Sequence, residues 1–79
     1  MKNEIEKIRE GAAKIGARVN EDYQGQIGIQ YKGTHVWHWF KIYSEDFVAF
    51  DHSYSMNTGR SKKGIRHGMK IKSRLGMYD

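Results

Sequence analysis

Between Gln26 and Tyr54 the sequence holds three short strand-like runs separated by turn-forming residues, and that pattern leaves few folds open. Gln26 to Lys32 sets Ile27, Ile29 and Tyr31 against Gly28 and Gln30, the period of two expected of a strand buried on one side. Val36 to Tyr43 is rich in β-branched and aromatic residues, and Phe47 to Tyr54 follows as a third strand. Lys32-Gly33-Thr34-His35 and Ser44-Glu45-Asp46 are turns, so the three runs form an antiparallel sheet.

A different period flanks the strands. From Met1 to about Gly16, the residues Met1, Ile5, Ile8, Ala12 and Ile15 recur at steps of three and four, and Val19 extends the stripe. Gly16 suits a C-terminal cap, after which Arg18 to Gly25 is polar and reads as a loop with room for a short strand. Ser55 to Gly59 is a loop, and Ser61 is placed to cap a second helix running to about Leu75. The expected fold is therefore α+β, one small domain over residues 1–79 in the order α-β-β-β-α, with a three-stranded antiparallel sheet. Both helices must bury their apolar stripes, and one face of the sheet serves both. On the second strand Val36, His38, Phe40 and Ile42 then face the helices. Trp37, Trp39 and Tyr43 lie on the open side, where they would stack on unpaired bases, be covered by a protein partner or a second copy, or be buried under the Arg18 to Gly25 segment.

The net charge of +5 is concentrated at one end of the chain. Residues 57–79 carry Arg60, Lys62, Lys63, Arg66, Lys70, Lys72 and Arg74 against Asp79 alone, whereas residues 1–56 are close to balanced. At about 100° per residue on a helix starting at Ser61, the residues Lys63, Arg66, His67, Lys70 and Arg74 share one arc. Ile65, Met69, Ile71 and Leu75 fall on the other side. So many cations on one face repel one another, and a polyanion would relieve that cost, although such a stripe also simply solvates a helix. Gly64 and Gly68 weaken the helix by roughly 1 kcal/mol each against alanine, but permit close approach to the sheet or to a ligand.

Gly59-Arg60-Ser61-Lys62-Lys63, followed by Ile65-Arg66, resembles the start of the second helix in double-stranded RNA-binding domains, and the order of elements is also theirs. That resemblance implies phosphate contacts from Arg60, Lys62, Lys63, Arg66, His67, Lys70 and Arg74, with His35 of the Gly33-Thr34-His35 turn beside them. The loop lacks the proline of that family, and Gly68-Met69-Lys70 stands where the family has an alanine-rich interior. Lys32-Gly33-Thr34-His35 is also similar to the catalytic turn of HicA-type mRNA interferase toxins. That second likeness implies a metal-independent RNase with His35 as general base. A third reading is a small phage-type inhibitor or accessory protein that occupies a host nucleoprotein or protein complex.

Other chemistry finds little support in these residues. The chain has no cysteine, which removes disulfides, thiolate metal sites and thiol nucleophiles. His35 and His38 lie three apart on a strand and point to opposite faces, and Asp51 and His52 do likewise, so neither a metal site nor an acid-base pair is expected. Ser53, Tyr54 and Ser55 supply hydroxyls without an evident activating partner. No cofactor is expected, and the charged opening Met-Lys-Asn-Glu-Ile-Glu-Lys, with no long apolar run elsewhere, points to a cytoplasmic protein away from the membrane. Nucleic acid, RNA rather than DNA, is the expected partner.

Overall fold

The computed structural model describes residues 3–21 and 24–78. Its elements run α1 (Glu4–Ile15), β1 (Arg18–Asn20), β2 (Gln26–Gln30), β3 (Val36–Ser44), β4 (Phe47–Ser55), β5 (Ser61–Lys62) and α2 (Ile65–Arg74). The α+β class holds, but the sheet has five antiparallel strands in the order β1-β2-β3-β4-β5, not three. Among the described residues no helix is long and apolar enough to cross a membrane.

Helix α1 starts where its chemistry favours it. The Asn3 side chain accepts the Glu6 N–H at 2.8 Å, Glu4 and Glu6 occupy the first turn where the helix dipole favours acids, and Gly16 closes the helix at φ 69°. Ile8 and Ala12 are fully buried, with Ile5 and Ile15 packed around them, while Met1 of the expected stripe lies outside the described residues. Val19 does not continue that stripe. Beyond Gly16 the chain pairs as β1, with Arg18 opposite Gln30 and Asn20 opposite Gly28, and Arg9 of α1 bonds Glu21 just past the strand. A three-residue edge strand with one apolar side chain carries no alternation that sequence could reveal.

The second missing strand explains the error at the other end. The Ser55 N–H donates to the Arg60 carbonyl at 2.9 Å, so the turn after β4 folds the chain back and sets Ser61 opposite Tyr54 and Lys62 opposite Ser53. Ser61 is therefore a strand residue and not a helix cap. Gly64, at φ 130°, takes the position ahead of α2 with no side-chain cap bond. Only glycine adopts that angle without strain.

The core lies between one face of the sheet and both helices. Ile8 and Ala12 of α1 and Ile71 of α2 meet Ile27, Ile29, Phe40 and Val48 there. Helix α2 buries a different stripe from the one expected: Gly68, Ile71 and Leu75 face inward, while Ile65 is 84% and Met69 53% exposed. Glycine decides this rotation, because a Cβ on Gly68 would come within 2.8 Å of the Phe50 ring. The helix therefore turns its smallest residue to the sheet. Lys72 donates to the Val48 carbonyl, and Glu4 of α1 accepts the Val48 N–H, each at 3.2 Å, so both helices cover the edge of β4 ahead of β5.

Two irregularities re-aim side chains along β3 and β4. The register moves from Trp39 opposite His52 to Phe40 opposite Phe50, leaving Asp51 as an extra residue in β4. That bulge puts Phe50 and Ser53 on the same face and brings His52 Nδ1 to 2.6 Å from Asp51 Oδ2. The expectation that Asp51 and His52 point apart fails for this reason. A second shift near Tyr43 displaces it to the hairpin tip, where it stacks on Phe47 with ring centroids 5.3 Å apart.

Candidate nucleic-acid interface

Lys62, Lys63, Arg66, His67 and Lys70 line one cleft of about 570 Å³, together with Gly64 and Ile65. Lys62 comes from β5, Lys63 from the link and the others from α2, so the cations that a single helix was expected to carry are delivered by a strand and a helix at an angle to it. Gly64, at φ 130°, stands where the two elements meet. Among the described residues no carboxylate lines the cleft.

His67 forms the inner wall. Its Nε2 lies 2.7 Å from Ser53 Oγ, and its ring meets Phe50 edge-on with centroids 5.4 Å apart. Burial, and then the charges of Lys62 and Lys70, push its pKa below the usual histidine value. Ser53 also lies 2.5 Å from Nδ1 of His38, whose pKa burial lowers to about 4, with smaller contributions from His67 and Arg74. Both rings are therefore neutral near pH 7, and the serine hydroxyl donates to one while accepting the N–H of the other. This chain of His38, Ser53 and His67 had no sequence signal. It exists only because the bulge at Asp51 turns Ser53 inward opposite His38.

Three other expected site residues lie outside the cleft. Arg74 places its guanidinium 4.1 Å from the centroid of the Tyr31 ring, against the core. Tyr31 is buried with its hydroxyl unpartnered among the described residues, and burial raises its pKa. His35 is an exposed loop residue before β3, lining a separate groove with Tyr31, Lys32 and Gly33, and its carbonyl accepts the Met56 N–H at 2.9 Å. Together with the Ser55 to Arg60 bond, that contact sets His35 and Arg60 at the same end of the sheet. Among the described residues no side chain bonds the His35 ring, whereas His38, His52 and His67 each have a ring nitrogen held by a side chain.

On the opposite face Trp37 and Trp39 are half-buried and stack on each other, centroids 5.8 Å apart and planes 23° apart. Tyr43, at the hairpin tip, is separate from this pair and is 60% exposed beneath the Lys41 ammonium.

No family model, curated protein or solved structure matches the chain.

Proposed function

We propose that the protein is a small nucleic-acid-binding module, with RNA favoured over DNA, that takes phosphates into the cleft between β5 and α2. The observation that carries this reading is the convergence of Lys62, Lys63, Arg66 and Lys70 beside the neutral His67 on one concave surface that no carboxylate lines among the described residues. Holding these cations together is costly in their mutual repulsion, and a polyanion offsets the cost. The start of α2 adds to it, because Gly64 gives no side chain to the first N–H groups of the helix, and such groups accommodate phosphate oxygens. The preference for RNA rests on likeness in sequence alone, that of residues 59–66 to the helix-start segment of double-stranded RNA-binding domains, since Ser61 and Lys62 belong to β5 here.

Four neutralised phosphates give a slope of log affinity against log salt of about −3 to −3.5. The decisive experiment combines that titration with the variant Lys63→Glu, Arg66→Glu, Lys70→Glu, whose side chains are exposed and whose fold should survive. Loss of duplex-RNA binding with an unchanged melting curve is expected. Undiminished duplex-RNA binding by the triple variant, or a slope near zero, would sink the proposal. Capture of a partner that survives nuclease treatment and still requires these residues would instead identify the cleft as a protein-binding surface.

A further inference from the structure

The sheet's other face carries a second arrangement. Cross-strand register aligns Arg18, Gln30, Trp37, Tyr54 and Ser61 in one row that spans all five strands. The next row sets Trp39 between Gly28 and His52, and the one after pairs Gln26 with Lys41. Directly opposed residues share a face, so these rows form one surface. Gly28 shapes it: a Cβ there would come within 2.6 Å of the Trp39 ring, so the indole lies down across β2 in the space a side chain would fill. The result is two stacked indoles beside a tyrosine, with cations at Arg18 and Lys41.

We propose that this face binds single-stranded nucleic acid, with unpaired bases stacking on Trp37, Trp39 and Tyr54 and the sugar-phosphate chain running toward Arg18 and Lys41. Base stacking on aromatic side chains tolerates any sequence, and flanking cations follow the backbone. Charge identifies the occupant. Asp51 is the only acid in the five strands, and its carboxylate is engaged by the His52 ring beside this face. A second copy placed on this face would set Arg18 and Lys41 against the same cations, with Asp51, already held by His52, as the one strand carboxylate near them, which disfavours a symmetric pair. An extended polyanion with planar bases satisfies both the rings and the charges.

The site lies across the sheet from the β5/α2 cleft, so it stands or falls separately. Trp37 and Trp39 are the chain's only tryptophans, so intrinsic fluorescence reports on this face. The experiment titrates oligouridylate and inorganic polyphosphate of matched charge, following fluorescence and, independently, anisotropy of a labelled oligouridylate. Oligouridylate should quench the emission and polyphosphate should not, and the quench should persist in the Lys63→Glu, Arg66→Glu, Lys70→Glu variant. Trp37→Ala should weaken oligouridylate binding about 5- to 150-fold, the range that loss of one stacked base implies. Arg18→Glu with Lys41→Glu, both on exposed side chains, tests the same face without touching the rings should Trp37→Ala fail to fold. It should weaken binding at least tenfold at low salt. Equal quenching by both polymers, unchanged affinity in the charge-reversed variant, or a quench that tracks protein self-association overturns the proposal.

Discussion

Ser53 Oγ lies 2.7 Å from His67 Nε2, tying strand β4 to helix α2 through a single hydroxyl. The same oxygen sits 2.5 Å from His38 Nδ1, so one buried and one part-buried contact depend on one atom. Ser53→Ala leaves a ring nitrogen on each side without its partner in a site that water scarcely reaches, at about 1 to 3 kcal/mol for an unsatisfied buried group. Urea denaturation should show a loss in that range. A change below about 0.5 kcal/mol would mean that the bridge is not formed in solution.

The same pair makes the fold sensitive to acid. His38 is held neutral to about pH 4, while the unfolded chain takes up its proton near the ordinary value of 6.5. Its contribution is therefore complete above 6.5 and is lost as the pH falls toward 4, on the order of 3 kcal/mol for a shift of this size. His67 is shifted in the same direction, so it adds to the loss. Stability measured at pH 7 and pH 4.5 should differ accordingly, and replacing His38 with glutamine should flatten the difference. Equal stability of the parent protein at the two pH values would contradict the buried, neutral assignment.

Gly11 offers a test in which helix propensity and packing predict opposite signs. Alanine is the better helix former by about 1 kcal/mol, so on local grounds Gly11→Ala should stabilise α1. The Leu75 carbonyl occupies the place a Cβ would take, and it is backbone that cannot swing aside. Overpacking of this kind typically costs about 1 to 3 kcal/mol. A net loss of stability is expected by thermal denaturation, and a gain would show that α1 and the end of α2 do not approach so closely.

The contrast at Gly11 also shows which parts of the molecule were legible in the sequence. Ile5, Ile8, Ala12 and Ile15 announced α1 because a whole helical face is buried, and Ile27, Ile29, His38 and Phe40 announced the sheet face in the same way. Strand β1 lies where the polar segment after Gly16 left room for a short strand, whereas β5 was invisible, since Ser61 and Lys62 are joined to the sheet by backbone bonds that any residue can make. The helix reading of Ser61 failed because long-range pairing to Tyr54 outweighed a local capping preference. Ile65 and Met69 were assigned to the core by hydrophobicity, yet Gly68 faces the sheet because its missing side chain admits Phe50. Asp51 had the largest effect: one extra residue in β4 turned Ser53 toward His38, and no periodicity argument counts a bulge. The basic residues were all visible as charge. What was hidden was that Lys62 and Lys63 would converge with Arg66 and Lys70 while Arg74 turned away.

That last division separates two kinds of arginine and lysine effect. Arg74 lies over the Tyr31 ring, so Arg74→Ala removes a cation-ring contact worth about 0.5 to 2 kcal/mol along with the packing of its stem. It should lower stability while leaving the salt slope of RNA binding unchanged. Lys70→Ala, on an exposed side chain of the cleft, should do the reverse, leaving the melting temperature in place and reducing the slope by about 0.7 to 0.9, one phosphate's share. Measuring both quantities on both variants decides whether the binding surface ends at Lys70 or continues along α2. If Arg74→Ala also reduced the slope by a full unit, the stripe first read from the sequence would extend beyond the cleft to the end of the helix.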